Sequence, residues 1–204
     1  MDDDKTDTLK SNILNIPNLL SSFRILLVPI FLWSVLNKKE FEALLIFLVA
    51  GITDLLDGFT ARIWHQKTKL GTVLDPAGDK LLLATSYVVL TLPAVASPNF
   101  IPIWLTLVVF ARDLLIVTGA LIAFLSWRQK IFLPSILGKI TTGCQVGTIL
   151  LVLWFNYRGT PSGFMPWVYD LTLFWTIASG IHYFIFGLSE LKQRRKIQNS
   201  VSHN

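Results

Sequence analysis

The chain has 204 residues, of which 52% are hydrophobic and only 15% are charged. Soluble domains usually carry roughly 25% charged residues, so this composition argues against a soluble protein and predicts one domain of an integral membrane protein. The net charge of +5 is compatible with nucleic acid binding, but the basic residues flank apolar stretches, where anionic lipid headgroups attract them. We therefore expect membrane lipids as partners and no nucleic acid.

Six apolar stretches follow a polar N-terminal tail at 1–14. They cover about 19–36, 41–62, 79–96, 100–125, 136–156 and 166–190. Each approaches the roughly 20 residues that a helix needs to cross the hydrocarbon core. Backbone groups find no water in lipid, so the stretches should be helices. The predicted fold is an all-α integral membrane protein with six transmembrane helices, a single membrane domain at 15–190 and a basic C-terminal tail at 191–204.

Lysine and arginine predict the orientation of these helices. With the N-terminus inside, fourteen of these residues, Arg24 among them, fall on the cytosolic side, and three fall on the other side, namely Lys38, Lys39 and Arg158. Arg112 lies within a span. Such an excess is typical of cytosolic loops. Both termini and the 62–80 connection are therefore expected in the cytosol, in a multi-pass protein of a bacterial inner membrane or an organellar membrane.

Four aspartates lie within 26 residues, two before that connection and two inside it. Asp54 and Asp57 are three residues apart, and Asp75 and Asp79 are four residues apart. Each pair falls on one side of a helix, where its charges repel unless a cation lies between them. Ligands that are all oxygen select a hard divalent ion such as Mg²⁺ or Mn²⁺. The pattern predicts a metal site at the cytosolic side.

Small residues and an arginine accompany the aspartates. Gly58, Ala61 and Arg62 share a helical face with Asp54, and Gly71 shares one with Asp75. Small residues allow a bulky ligand to approach the backbone, and a guanidinium can donate two hydrogen bonds to phosphate. The set is typical of a site that handles a pyrophosphate. The alternative, helix caps and surface ion pairs, accounts for one or two of these aspartates but not for four at these spacings.

These residues resemble a known signature. The pattern D-x2-D-G-x2-A-R-x8-G-x3-D-x3-D of the CDP-alcohol phosphotransferase (CDP-alcohol phosphatidyltransferase) family is matched at all eight fixed positions. The segment Asn15-Ile-Pro-Asn-Leu-Leu-Ser-Ser-Phe-Arg24, the pair Arg112-Asp113 and the pair Gly138-Lys139 look like the branch of phosphatidylglycerophosphate synthases and CMP-forming cardiolipin synthases. The similarity covers roughly residues 15–190.

The resemblance implies a six-helix membrane enzyme, commonly a homodimer, in which an alcohol displaces CMP from CDP-diacylglycerol. It implies two Mg²⁺ or Mn²⁺ ions held by Asp54, Asp57, Asp75 and Asp79, with Asp79 also the catalytic general base. It further implies a CDP pocket formed by Asp54, Gly58, Ala61, Arg62 and Gly71. Thr53 and Lys80 are second candidates for that pocket.

The acceptor alcohol stays open between glycerol-3-phosphate and phosphatidylglycerol. An acceptor phosphate needs cations, and Arg112 and Lys139 are the candidates. The alternatives are a simple pair of Arg112 with Asp113 and an interfacial anchor for Lys139. Aspartate at 113 and Thr141 in place of a second lysine look more like the cardiolipin synthases. Inositol phosphate, serine or another alcohol would keep the same motif, whereas a divalent-cation transporter would spread its acids over several helices.

Overall fold

The computed structural model describes the backbone of residues 16–64, 71–96, 98–127 and 136–201, and the side chains of residues 23–53, 80–96, 98–119 and 136–185. Within this part of the chain all regular structure is helical, which confirms the predicted all-α class. The six helices are α1 (Ile16–Leu36), α2 (Glu40–Trp64), α3 (Gly71–Leu90), α4 (Ile103–Trp127), α5 (Ile136–Tyr157) and α6 (Met165–Val201).

The helix bounds differ most from the apolar stretches at α3 and α6, and α3 ends at Leu90 although the third stretch was predicted to run to residue 96. Helix α3 begins at Gly71, whereas the third apolar stretch begins near residue 79. Asp75 and Asp79 lower the hydropathy of this segment without ending its helix. Helix α6 continues to Val201 and thus includes most of the basic segment predicted as a tail. Hydropathy detects the apolar part of a helix and not its polar ends.

The chain forms two compact units. The first contains Met1–Ile101 and Ile149–Gly163, and the second contains Pro102–Thr148 and Phe164–Asn204. In the first unit α1 packs against both α2 and α3. Its buried apolar residues include Leu27, Phe31 and Val35 of α1, Ala43, Phe47 and Ala50 of α2, and Leu82, Tyr87 and Leu90 of α3.

A tight connection joins α1 to α2 and makes them antiparallel. Lys38 has a φ of 56°, which turns the chain within three residues. The side-chain Nδ2 of Asn37 donates to the carbonyl of Trp33 at 2.7 Å, and the backbone N–H of Lys39 donates to the carbonyl of Ser34 at 2.9 Å. These bonds satisfy carbonyls that the end of α1 leaves without helical partners.

A buried asparagine pair holds the segment before α4 to the end of α5 within the first unit. Asn156 Oδ1 accepts hydrogen bonds from the backbone N and the Nδ2 of Asn99 at 2.8 and 3.1 Å, and Asn156 Nδ2 donates to the Asn99 carbonyl at 2.9 Å. Asn99 also bonds to the carbonyl of Thr160 and to the N–H of Ser162. The pair therefore secures the connection at one end of this unit.

In the second unit α4 packs against α6, and polar groups join α5 to α6. The hydroxyl of Thr148 lies 2.7 Å from that of Thr172, and both residues are buried. The hydroxyl of Thr141 lies 2.9 Å from the carbonyl of Trp175. In lipid, apolar burial between helices gains little free energy, and hydrogen bonds of this kind help to hold helices together.

Large apolar side chains are exposed on both units. Examples are Leu26, Ile30 and Ile52 in the first unit and Leu107, Leu114 and Phe174 in the second. Among the described residues, α5 is the one helix that is long and apolar enough to cross a membrane, while the apolar segments Phe23–Leu36 and Lys80–Leu90 are shorter. The six membrane spans therefore stay a prediction.

Candidate active site

The first acidic block lies on one continuous helix. Helix α2 extends to Trp64, so Asp54, Asp57, Gly58, Ala61 and Arg62 all share its backbone. At 3.6 residues per turn, the spacings between these positions keep them on one side of the helix. The spacing argument therefore applies to a helix that the structure contains.

The second block lies at the start of α3, where Gly71 is the first helical residue and Asp75 and Asp79 follow within the helix. The side chains of both blocks, residues 54–79, lie outside those that the structure describes. The predicted metal ligands and CDP pocket therefore stay predictions. Because α1 packs against both α2 and α3, the two helices that carry the blocks share one partner helix.

The chemistry of the donor set fits the metal implied by the resemblance. Four aspartates offer only carboxylate oxygens, the ligands that Mg²⁺ and Mn²⁺ prefer. Among the described side chains, no group of three or more His, Cys, Asp or Glu residues could hold a metal ion. The aspartates of the motif stay the predicted ligands of the metal.

Two described residues border the motif. The hydroxyl of Thr53 lies 3.0 Å from the carbonyl of Val49 and 2.8 Å from that of Ala50, so its proton is donated to its own helix. As a CDP ligand Thr53 would act as an acceptor. The side chain of Lys80 is exposed at the other edge of the motif, on α3.

Arg24 of α1 is buried although it is a charged residue. Only 1% of its surface is exposed, and it is the first of the largest fully buried side chains among the described residues. From the sequence it was expected as one of the cytosolic cations. Its spacing of three and seven residues from Leu27 and Phe31, which places it on the apolar face of α1, is the signal that predicts its burial.

Arg112 of α4 is held by residues of α4 and α6 in the second unit. Its Nη1 donates to Oδ1 of Asp113 at 2.8 Å, and its Nη2 donates to Oγ of Ser179 at 2.9 Å. The guanidinium carbon lies 5.8 Å from the centre of the Tyr183 ring, a distance typical of a cation–π contact. The alternative of a pair with Asp113 is thus present in the structure.

This pairing leaves Arg112 with further hydrogen-bond donors. A guanidinium has five N–H groups, and the two bonds to side chains use two of them. The buried Nε has no hydrogen-bond partner among the described residues. The side chain is 10% exposed, so the cation is nearly dry and its remaining donors are suited to an anionic group.

The structure does not bring Lys139 to Arg112 by any described contact. Lys139 is exposed near the start of α5 and makes no hydrogen bond or ion pair within the described part of the chain. Its role as an acceptor ligand stays a prediction, beside the alternative of an interfacial anchor.

Comparison with known proteins identifies relatives over most of the chain. The family model described as CDP-alcohol phosphatidyltransferase matches residues 14–181. The CMP-forming cardiolipin synthase of Homo sapiens is 33% identical over 203 residues, which cover 89% of this chain and 64% of that protein. The cardiolipin synthase (CMP-forming) of Streptomyces coelicolor is 40% identical over 125 residues, which cover 57% of this chain and 56% of the relative.

A second kind of relative carries a different name. The CDP-diacylglycerol–glycerol-3-phosphate 3-phosphatidyltransferase of Escherichia coli K12 is 37% identical over 149 residues, which cover 69% of this chain and 77% of that protein. The chain therefore spans less than two thirds of the length of the human and Streptomyces relatives and more than two thirds of the Escherichia coli relative.

Proposed function

Since this chain belongs to the CDP-alcohol phosphatidyltransferase family, we propose that it transfers the phosphatidyl group from CDP-diacylglycerol to a glycerol-type acceptor and releases CMP. The observation that carries the proposal is the complete eight-residue motif on α2 and α3, two helices that pack on the same helix α1. Relatives of both kinds are named for lipid synthesis with such acceptors.

The motif residues divide the work of the reaction. Asp54, Asp57, Asp75 and Asp79 would hold two divalent ions, which when bound supply positive charge to the pyrophosphate oxygens. Arg62 donates hydrogen bonds to the same pyrophosphate. Gly58, Ala61 and Gly71 leave room for the cytidine nucleotide.

Asp79 removes the proton of the acceptor hydroxyl. The hydroxyl oxygen then forms a bond to the phosphorus of the phosphatidyl group, and the bond from this phosphorus to the CMP oxygen breaks. The proton stays on the Asp79 carboxyl until it leaves to solvent, and CMP carries away the electron pair of the broken bond. A carboxylate at hydrogen-bond distance from the hydroxyl is the group suited to this transfer.

The acceptor is either glycerol-3-phosphate or phosphatidylglycerol, and Arg112 is the main candidate for binding its phosphate. Its guanidinium is held by Asp113 and Ser179, so little conformational entropy is lost when an anion binds. Lys139 is the second candidate. Both acceptors present a glycerol hydroxyl and at least one phosphate, so the same cation serves either.

The membrane setting belongs to the same proposal. Helix α5 has the length and composition of a membrane span, and exposed Leu, Ile and Phe side chains on both units suit contact with lipid tails. We expect six spans, cytosolic termini, a cytosolic active site and a homodimer. The excess of lysine and arginine on the predicted cytosolic side supports this orientation.

The test is CMP release by the purified full-length chain in lipid nanodiscs. CDP-diacylglycerol and Mg²⁺ are supplied with glycerol-3-phosphate, phosphatidylglycerol, inositol phosphate or serine, one at a time. We expect release with one of the two glycerol-type acceptors and formation of the matching lipid. Release only with inositol phosphate or serine would contradict the glycerol-type acceptor, and no release with any acceptor would contradict the reaction class.

A further inference from the structure

The buried guanidinium of Arg24 needs a source of negative charge. A guanidinium is a cation in folded proteins, and only 1% of this residue is exposed to solvent. Burying an uncompensated charge costs several kcal/mol, so a folded chain places anions or several acceptors beside it. Arg24 therefore requires anions or several acceptors beside it in the first unit.

The packing of α1 on α2 shows which part of α2 lies level with Arg24. The buried positions of α1 include Arg24, Leu27 and Phe31, and those of α2 include Phe47 and Ala50. The rings of Phe31 and Phe47 are 5.9 Å apart between centroids. Because the helices are antiparallel, this contact sets the height of every other pair along them.

Arg24 and Asp54 occupy equivalent places relative to that contact. Arg24 lies seven residues before Phe31 on α1, and Asp54 lies seven residues after Phe47 on α2. Seven residues are close to two full turns and advance each helix by about 10.5 Å. Arg24 therefore lies on the same face of α1 as Phe31, Asp54 lies on the same face of α2 as Phe47, and the two positions are at the same height. Asp54 also follows Ala50 by four residues, as Ala50 follows Phe47 by three.

The two glutamates of α2 are far from this height. Glu40 and Glu42 are the carboxylates among its described side chains, and they precede Phe47 along α2, whereas Asp54 follows it. At 1.5 Å per residue, they are roughly 18–21 Å from Arg24 along the helix axis. Glu42 is moreover paired with Lys39 at 2.9 Å. Asp54 lies level with Arg24, and Asp57 lies three residues, or about 4.5 Å, further along α2.

We propose that Arg24 is the built-in counter-charge of the acidic motif and acts as a positioning residue for Asp54. It offsets the repulsion among the four carboxylates before divalent ions bind and fixes the Asp54 carboxylate through a charge-assisted hydrogen bond. The inference rests on the proposed function in treating Asp54 as a metal ligand. It adds a residue of the first helix to a site otherwise built from α2 and α3.

A double-mutant cycle on thermal unfolding tests this proposal without measuring activity. The full-length chain in nanodiscs with excess chelator is compared as wild type, Arg24→Gln, Asp54→Asn and the double variant. We expect Arg24→Gln to lower Tm by on the order of 10 °C, because one partner of a buried pair is removed. In the Asp54→Asn background the same change should cost less than half as much.

A matched control separates charge from packing. Ser34 is a buried, neutral residue on the same helix, so the effects of Ser34→Ala and Asp54→Asn on Tm should simply add. Arg24→Lys keeps the charge and should restore most of the loss, and its own cycle with Asp54→Asn serves if Arg24→Gln does not fold. Saturating Mg²⁺ should shrink the Arg24→Gln deficit, whereas a packing role leaves it unchanged.

Additive losses in the Arg24–Asp54 cycle, or a deficit that Mg²⁺ does not change, would overturn the proposal. The outcome is separate from that of the proposed function. A wild-type chain that releases CMP but shows no coupling refutes the role of Arg24 alone, and a chain that shows the coupling without CMP release refutes the reaction alone.

Discussion

Replacing Ser179 by alanine removes one of the two side-chain acceptors described around the Arg112 guanidinium. Ser179 Oγ accepts from Nη2 at 2.9 Å, while Asp113 Oδ1 accepts from Nη1 at 2.8 Å. With 10% of the Arg112 side chain exposed, water has little access to replace the lost hydroxyl. We expect Arg112 to keep its charge and lose part of its orientation toward the acceptor phosphate.

The expected magnitude follows from the contacts that remain. A hydrogen bond to a charged group contributes about 1.5–3 kcal/mol. The Asp113 contact and the Tyr183 ring at 5.8 Å are unchanged, so the lower end applies. This bond lies within the protein and orients the cation, so its strength is an upper limit on the loss of acceptor affinity. Since about 1.4 kcal/mol corresponds to a tenfold change in affinity, the KM for the acceptor should rise by up to roughly tenfold. Arg112→Ala removes the cation that would bind the acceptor phosphate and should raise this KM on the order of a hundredfold.

The assay is CMP release with the acceptor varied at saturating CDP-diacylglycerol, followed by the converse titration. We expect the KM for CDP-diacylglycerol to stay within about twofold of the wild-type value, because the CDP pocket uses other residues. Thr176→Ala is the matched control. Thr176 is buried on the same helix, and its hydroxyl donates to the carbonyl of Thr172 at 2.7 Å and accepts no described bond from Arg112.

Two results would contradict this assignment. If Ser179→Ala and Thr176→Ala raised the KM for the acceptor and the KM for CDP-diacylglycerol equally, the effect would come from the packing of α6. An unchanged acceptor KM in both Ser179→Ala and Arg112→Ala would remove Arg112 from the acceptor site, while leaving the motif on α2 and α3 as the catalytic site.

Three further predictions follow from the motif and from the buried asparagines. Asp57→Asn should abolish CMP release, and a chelator should do so reversibly, whereas the control Glu42→Gln, an exposed carboxylate at the other end of α2, should stay active; full activity in excess chelator would exclude the metal. Asp79→Asn should lower kcat far more than CDP-diacylglycerol binding, because an amide cannot accept the proton; equal losses would make Asp79 only a ligand. Asn156→Leu breaks three hydrogen bonds to Asn99 and should lower the free energy of unfolding by about 3 kcal/mol and Tm by roughly 10 °C; a shift under about 2 °C in a thermal melt would contradict the structural role of the pair.

Hydropathy predicted the helices well where both ends of a helix are apolar. The first stretch was expected to end at residue 36, and α1 ends at Leu36. The fifth stretch was expected to cover 136–156, and α5 covers Ile136–Tyr157. The start of α3 was predicted too late in the sequence. Asp75 and Asp79 are costly in an apolar environment, so the apolar stretch that hydropathy detects does not extend back past them. The backbone stays helical because carboxylates on one face of a helix do not disturb its hydrogen bonds.

Local spacing predicted the candidate site only within each helix. The i/i+3 and i/i+4 spacings of the aspartates need no knowledge of tertiary packing. The Arg112–Ser179 bond joins residues 67 positions apart, and no local pattern predicts which face of α6 meets α4. Arg24 shows the same limit, since its burial depends on how α1 packs against two other helices.

The buried polar residues differ in whether hydrogen bonds within the described part of the chain account for all of their donors and acceptors. Asn156 makes both acceptor and donor bonds to Asn99, so this pair is internally satisfied and its role is structural. Arg112 retains a buried Nε without a described partner, and Arg24 places a full charge in a dry interior. Apolar residues of similar volume are often as stabilising as a buried ion pair, so stability alone does not explain a guanidinium at either position. A reaction between two phosphate-bearing substrates does: Arg24 would balance the carboxylates that hold the metals, and Arg112 would offer its remaining donors to the acceptor.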